Sequence, residues 1–153
     1  GARALVDRHS PTADQYVLAH YMTEGHFEAH VRRIRGAYAE RRLVLIEELE
    51  KRMPDWTRLQ SSDQGMHLVL WLPSAIDDVK LAENALRAGL VVRPISPMYA
   101  LHPPRKGLML GFGGFSTEQL RAAVKQLRKV LEDSVRDRRL ASTLAPPPAL
   151  EFA

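Results

Sequence analysis

The stretch RAGLVVRPISPMYALHPPRKGLMLGFGG, residues 87–114, decides which fold the chain adopts. It opens at the end of a predicted helix, where Gly89 suits the left-handed position after the last helical turn. Residues 91–93 then predict a short strand and residues 108–112 predict a second one, because both runs are rich in apolar side chains. A proline-rich loop joins the two strands. This loop is either the wall of a binding site or only a connection.

The remaining elements are predicted from apolar periodicity and from the signals that end helices. Ser116 with Gln119 forms a capping box at the start of the last helix. Ser74 or Asp77 is a candidate N-cap for the helix that ends near Arg87. The predicted helices span residues 10–24, 26–53 and 116–137, with another that begins at residue 74 or 77 and ends near residue 87. The predicted strands span residues 56–60, 66–72, 91–93 and 108–112.

This order of elements predicts an α+β fold. Strands are too few for a doubly wound domain, so we expect a small antiparallel or mixed sheet of three to four strands covered by helices. Residues 1–9 are interpreted as the cut N-terminal end of a larger protein, residues 10–137 as one domain, and the proline-rich residues 138–153 as a disordered tail. The periodicity predicts a core that includes Val31, Ile34, Leu70, Leu86, Leu110, Leu120, Val124 and Leu127.

Composition limits the classes of function. Apolar residues make up 45% and charged residues 26% of the 153 residues, which is typical of a globular domain. The chain has no cysteine, which excludes disulfides and thiolate metal sites and fits a cytoplasmic location. No apolar run approaches the roughly 20 residues of a membrane span, so no membrane partner is predicted. A net charge of +4 keeps nucleic acid among the candidate partners without selecting it.

The sequence contains no pattern that defines a catalytic centre or a metal site by spacing alone. His26 and His30 lie one helical turn apart, but no third ligand completes a known pattern, so two solvent-facing histidines are the better interpretation. The arginines of HVRRIRGAYAERR, residues 30–42, are interpreted as an ordinary solvated face. The glycines at residues 111–114 lack the spacing and the lysine of a phosphate-binding loop. No catalytic residue and no metal are therefore predicted.

Four segments, in this order, resemble one known family. SPTADQYVLAHYMTEGHFEAHVRRIRGAYAERRLVLIEELE resembles the linking helix and the start of the small domain of MocR/GabR-type transcriptional regulators of the GntR superfamily. QGMHLVLWLP and AGLVVRPISPMY resemble the next strands of that domain, and KGLMLGFGGFSTEQLRAAVKQL resembles its last strand and closing helix. These regulators join a winged-helix domain to an aminotransferase-like, fold type I pyridoxal-phosphate domain. The resemblance implies that residues 10–137 form the C-terminal small domain.

The resemblance also implies what the rest of the protein would supply. In that family the Schiff-base lysine and the aspartate that faces the pyridine nitrogen precede this region, and none of the five lysines here has the required context. Pyridoxal phosphate is therefore expected in the full-length parent and not in this fragment. The implied partners are the cofactor-binding large domain of the same chain, an amino-acid-like effector, a second copy of the parent as a homodimer, and DNA through an N-terminal domain only.

One position departs from the related aminotransferases. Their last small-domain strand carries an arginine that pairs with the substrate carboxylate, and the resemblance places Met109 there, although a thioether cannot make that ion pair. Arg93 is the nearest candidate to replace it, and Ser96 and Tyr99 come after it in the loop. These four residues are the predicted effector or substrate cleft. The alternative for Arg93 is a surface residue whose stem covers the sheet.

Three hypotheses of function are compatible with these patterns. The favoured one is a fragment of the effector-sensing domain of a pyridoxal-phosphate-dependent transcription regulator, not active by itself, because VVRPISPMY and HVRRIRGAYAERR look more like the regulators. The second is the small domain of a true aminotransferase, which Met109 weakens. The third is a free-standing basic interaction domain. Whether the parent is an enzyme stays open.

Overall fold

A computed structural model of the chain describes residues 11–62, 65–100 and 104–144, with side chains up to residue 136. The predicted cut end at residues 1–9, and the last part of the predicted tail at residues 145–153, lie outside the described residues. In chain order the elements are α1 (Thr12–Thr23), α2 (His26–Arg52), β1 (Arg58–Gln60), β2 (His67–Trp71), α3 (Asp78–Arg87), β3 (Arg93–Pro94), a short 3₁₀ turn (Ser96–Met98), β4 (Gly107–Gly111) and α4 (Thr117–Leu144).

The chain divides into two compact units, Gly1–Ala39 and Glu40–Ala153. The described part of the first unit contains α1 and the first half of α2. No residue of α1 is buried, and the buried residues of α2, Leu45 and Leu49, belong to the second unit. Val31 and Ile34, which the periodicity placed in the core, are only half-buried. The prediction is wrong for these two positions, because none of residues 11–39 is buried and the described part of their unit therefore has no core of its own.

The second unit contains a four-stranded sheet in the order β1-β2-β4-β3, in which every neighbouring pair is antiparallel. The predicted α+β class is confirmed, and so is the small sheet of three to four strands. The predicted strand at residues 91–93 is wrong in its bounds, because only Arg93 and Pro94 pair with β4. Pro94 has no N–H to donate to the ladder, which confines this short strand to the edge of the sheet.

The core lies on one face of this sheet, which we call the helix-side face and which consists of Leu68, Leu70, Leu108 and Leu110. Each of these leucines is buried, while their neighbours along β2 and β4 are mostly more exposed. Leu45 of α2, Leu110 of β4 and Leu120 of α4 line one apolar groove of about 190 Å³, so the three elements meet on this face. The predicted core positions at Leu70, Leu110, Leu120, Val124 and Leu127 are confirmed.

The prediction that Leu86 of α3 is a core residue is wrong. Leu86 is 61% exposed, whereas the buried residues of α3 are Asp78, Leu81 and Ala85. These three recur at spacings of three and four and therefore share one face of the helix. Leu86 comes one position after Ala85, which rotates its side chain away from that face.

The helix ends behave as their sequences predict. Of the two candidate caps of α3, Asp77 is the one used: its carboxylate accepts the N–H groups of Val79 and Lys80 at 3.0 and 3.1 Å. Beyond the helix, Gly89 has a φ of +83°, and the N–H of Leu90 donates to the carbonyl of Ala85 at 2.8 Å. This pattern is the Schellman motif, so the predicted role of Gly89 is confirmed.

The last helix also begins as predicted but ends later. The N–H of Ser116 donates to the Gln119 side chain at 2.8 Å, and the N–H of Gln119 donates to the Ser116 hydroxyl at 3.3 Å, which confirms the capping box. The helix was expected to end near Asp137 but continues to Leu144. Residues 138–144 are therefore helical rather than part of a tail.

Candidate functional site

Between β3 and β4 the structure describes residues 95–100 and 104–106, which we call the loop, and one buried carboxylate holds both of its ends. Asp78 is the first residue of α3, and its side chain is fully buried. Its Oδ2 accepts the N–H groups of Ile95, Ser96 and Gly107 at 3.1, 2.8 and 3.2 Å. Its Oδ1 accepts the Ser96 hydroxyl at 2.6 Å and lies 3.3 Å from Lys106 Nζ. The first and last residues of the loop thus share one partner.

The charge of Asp78 is stabilised by these donors. Burial raises the pKa of the Asp78 carboxyl. The hydrogen bonds from Ser96, Gly107 and Lys106 lower this pKa, and their combined effect is larger, so the pKa lies below its ordinary value. The position at the first turn of α3 also favours a negative charge. Asp78 is therefore an ionised group inside the protein, and Lys106 supplies the matching positive charge.

Sequence reasoning did not identify Asp78. Asp77 was predicted as a cap and no role was assigned to the aspartate after it, although a signal existed. Asp78 stands at the same helical face as Leu81 and Ala85, and an acidic residue at an apolar position of a helix is buried only when it is well paired. The sequence does not reveal the partners, because they come from a loop that lies 17 to 29 residues later in the chain.

Arg93 and Met109 lie next to each other on the sheet face opposite the helices, which we call the outer face. They are direct partners in the register of β3 and β4, and the same row continues through Val69 to Gln60. Side chains at directly opposed positions have Cβ atoms about 4.5–5.5 Å apart. Arg93 is exposed and Met109 is half-buried. The fold thus brings together the residue at the expected carboxylate position and its candidate replacement.

The guanidinium of Arg93 is not engaged elsewhere in the described part of the chain, where no hydrogen bond or ion pair involves it. By contrast, Arg41 donates to the carbonyl of Gly113, and Arg128 donates to the carbonyl of Arg52 at 2.6 Å. These two arginines serve the fold. Arg93 is therefore free to bind a group that the described residues do not supply.

A tryptophan covers the neighbouring row of the outer face. A Cβ atom at Gly107 would lie 2.9 Å from the ring of Trp71, so only glycine leaves room for this contact. The Trp71 Nε1 donates to Gln60 Oε1 at 2.7 Å, and the guanidinium carbon of Arg105 lies 3.7 Å from the ring centroid. Such stacking of a cation on an aromatic ring fixes both groups. The outer face thus combines an apolar floor with the positive charges of Arg93 and Arg105.

The other two predicted cleft residues lie on the loop itself. The Ser96 hydroxyl donates to Asp78 and accepts a hydrogen bond from Lys106 Nζ at 3.3 Å, so it is already used within the protein. Tyr99 comes directly after the short 3₁₀ turn and is 38% exposed. Arg93 and Met109 therefore share one face of the sheet, Ser96 belongs to the Asp78 network, and Tyr99 extends from the loop.

The remaining sequence patterns have local explanations. His30 Nδ1 lies 3.1 Å from the Arg33 guanidinium, and within residues 11–62, 65–100 and 104–136 no group of three or more histidine, aspartate or glutamate side chains is arranged to hold a metal ion. No helix in the described part of the chain is both long enough and apolar enough to cross a membrane.

Comparisons with known proteins now add to this geometry. No family model matches the chain. It is 33% identical over 114 residues to the probable rhizopine catabolism regulatory protein MocR of Rhizobium meliloti, a match that covers 74% of this chain and 23% of the relative. It is 31% identical over 122 residues to an uncharacterised aminotransferase of Saccharolobus solfataricus, covering 80% of this chain and 30% of the relative.

A solved structure shares the fold. The α-aminoadipate aminotransferase of Thermus thermophilus, in complex with N-(5′-phosphopyridoxyl)-L-leucine, superposes with a TM-score of 0.78 at 23% identity, covering 88% of this chain and 34% of that one. Fold and relatives together define the class: the chain is part of an aminotransferase-like domain. Its relatives include MocR-type regulators and aminotransferases. It spans about a quarter of the length of the first curated relatives that it matches.

Proposed function

We propose that this chain is the C-terminal small domain, residues 10–137, of a MocR-type regulator, and that its outer face closes over an amino-acid-like effector. The observation that carries the proposal is the direct pairing of an exposed Arg93 with Met109 on the outer face. A guanidinium offers two parallel N–H groups to a carboxylate, which a thioether cannot do. Arg93 is proposed to bind the effector carboxylate from the strand beside the position that the related aminotransferases use.

Pyridoxal phosphate is proposed for the full-length parent, held by residues outside this chain. A Schiff base forms from an uncharged lysine amine, and the half-buried Lys106 does not fit that role because its ammonium is paired with the buried carboxylate of Asp78. The other lysines, at positions 51, 80, 125 and 129, lie exposed on helices. The pairing and exposure of these lysines support the proposal that the large domain of the same parent supplies the Schiff-base lysine.

The regulator is favoured over the enzyme because of the residue at position 109. An aminotransferase must bind the carboxylates of its substrates in turn, and the resemblance assigns Met109 to the position where the related enzymes have an arginine for this purpose. A regulator needs only that its ligand favours one arrangement of the domains over another. In this proposal the homodimeric parent transmits the closure to DNA through an N-terminal domain outside this chain. The alternative, a true aminotransferase, is supported by the relative in Saccharolobus solfataricus.

The carboxylate role of Arg93 can be tested with two ligands that differ by the amino-acid part. The apo form of the full-length protein is titrated with N-(5′-phosphopyridoxyl)-L-leucine and with pyridoxamine 5′-phosphate, which lacks the carboxylate. We expect Arg93→Ala to weaken binding of the first ligand by about tenfold to a hundredfold, the usual effect of a lost charged hydrogen bond, and to leave the second unchanged.

The matched control is Arg87→Ala, since Arg87 is an exposed arginine of α3 that bonds to its helix neighbour Asn84. Equal affinity of wild type and Arg93→Ala for the leucine adduct would remove Arg93 from the site. A second measurement separates regulator from enzyme. Sustained transfer of an amino group from an amino acid to 2-oxoglutarate by the full-length protein would favour the aminotransferase.

A further inference from the structure

We infer that Asp78 is the positioning residue of the outer-face site: it fixes both ends of the loop at residues 95–106 and thereby holds Arg93 beside Met109. The effect on a ligand rests on the proposed function. The hydrogen bonds by which Asp78 holds the two ends of the loop, which we call the clamp, do not. Asp78 is buried, and its partners are Ile95, Ser96, Lys106 and Gly107, so its action on a ligand would be exercised through the loop and through β3.

The chemistry around Asp78 requires a carboxylate. Within the described residues, the polar groups bonded to Asp78 are donors toward it: three backbone N–H groups, the hydroxyl of Ser96 and the ammonium of Lys106. A carboxylate accepts on both oxygens and donates on neither. An asparagine would turn an NH₂ group either toward the backbone N–H groups or toward Lys106. The five donors therefore distinguish aspartate from its closest isostere.

The β3 strand has few hydrogen bonds of its own, and the clamp lies directly beside it. The β3 strand contributes only Arg93 and Pro94 to the ladder, and Pro94 cannot donate a hydrogen bond. The next residue, Ile95, bonds through its N–H both to the Gly107 carbonyl at 2.9 Å and to Asp78. An edge strand with so few ladder bonds depends for its register on the bonds of the residues next to it. Asp78 supplies these bonds two residues after Arg93.

The first test measures the clamp without any ligand. In the full-length protein, Asp78→Asn is compared with wild type by amide hydrogen exchange. We expect the amides of Ile95, Ser96 and Gly107 to exchange about tenfold faster or more, because either orientation of the asparagine leaves part of the donor set unpaired and lets the ends of the loop open more readily. The amides at the centre of α4 serve as the internal reference and should stay unchanged. Unchanged protection of the three loop amides would overturn the inference.

The matched control is Asp77→Asn. Asp77 is the neighbouring aspartate, it caps α3 from outside the core, and asparagine caps helices about as well. It should leave loop exchange at the wild-type rate, and an equal acceleration in both variants would also overturn the inference. If Asp78→Asn does not fold, Ser96→Ala carries the same test, because it removes one donor from the network and should accelerate the same amides to a smaller degree.

The second test measures the effect on ligand binding, at a temperature well below unfolding. The affinity ratio between N-(5′-phosphopyridoxyl)-L-leucine and pyridoxamine 5′-phosphate reports on the carboxylate contact alone. We expect Asp78→Asn to reduce this ratio about tenfold, and Ser96→Ala to reduce it less. A faster loop with an unchanged ratio would overturn the positioning role. An unchanged ratio in Arg93→Ala would instead overturn the proposed function, so the two failures are distinguishable.

Discussion

The two faces of the sheet are built on different principles. The helix-side face consists of leucines that touch other apolar side chains, and their exact partners are exchangeable because apolar packing is not directional. The outer face and its loop depend on named pairs: Arg93 with Met109, Trp71 with Gly107, and Asp78 with the loop amides. The contrast shows that the same strands serve as a general core on one side and as a specific arrangement of groups on the other.

The largest effect is expected from removing the buried carboxylate of Asp78. Asp78→Ala deletes the acceptor of three N–H groups and takes away the ionic partner of Lys106. We expect a loss of about 3–5 kcal/mol in the free energy of unfolding, which is typical when one member of a buried ion pair is removed. Urea unfolding, monitored by circular dichroism, measures it. If the loss of unfolding free energy were no larger than the loss caused by removing an exposed helix cap, the hydrogen-bond network around Asp78 would not stabilise the fold.

The next effect tests the leucine face itself. Leu70 is 1% exposed, and Leu70→Ala should lower the free energy of unfolding by about 2–5 kcal/mol through lost burial and the cavity that remains. Val69→Ala is the control on the same strand, because Val69 points to the outer face and is only half-buried. If Leu70→Ala and Val69→Ala lower the free energy of unfolding equally, the two faces do not differ as proposed.

Most of the helix-side face could be predicted from the sequence, because periodicity and end signals are local. The Ser116 capping box, the left-handed Gly89 and the core positions Leu70 and Leu110 are all encoded by residues within a few positions of each other. The prediction that Leu86 is buried was wrong, because an apolar residue beside the buried face of a helix looks the same in sequence as one at the centre of that face. The bounds of β3 were wrong because two valines favour a strand, whereas the ladder includes only Arg93 and Pro94.

The candidate site was only partly predictable. Arg93, Ser96, Tyr99 and Met109 were named from the resemblance and from their order, but sequence alone does not place Arg93 opposite Met109. That pairing depends on the register between two strands joined by a long loop. The contact of Trp71 with Gly107 and the role of Asp78 are likewise tertiary. No local rule connects residues that are brought together only by the finished sheet.

A smaller effect tests whether the outer face is as specific as the structure indicates. Gly107→Ala places a Cβ atom against the Trp71 ring, so the ring must move, at a cost of about 1–3 kcal/mol. The displacement should also free Arg105 from the ring and change the tryptophan fluorescence. Gly114→Ala is the matched control, because nothing lies within 4 Å of its added Cβ atom. Equal stability of both variants would mean that the outer face tolerates rearrangement.

The smallest effect is the pH dependence that the buried carboxylate introduces. Because the folded protein lowers the pKa of Asp78, its contribution to stability is fully present above the ordinary aspartate pKa of about 3.9 and is lost as the pH falls through the folded value. The groups that face it are the Lys106 ammonium and the Ser96 hydroxyl, and neither loses its role as a donor in acid. We therefore expect the difference in unfolding free energy between wild type and Asp78→Asn to be constant near neutrality and to shrink below about pH 4. The difference between the two proteins cancels the contributions that other carboxylates make to the pH dependence. One of these is Glu48, whose pKa is lowered by its hydrogen bond with Arg52. A difference that stays constant into strong acid would show that folding does not lower the pKa of Asp78 and that its ionisation does not stabilise the folded protein.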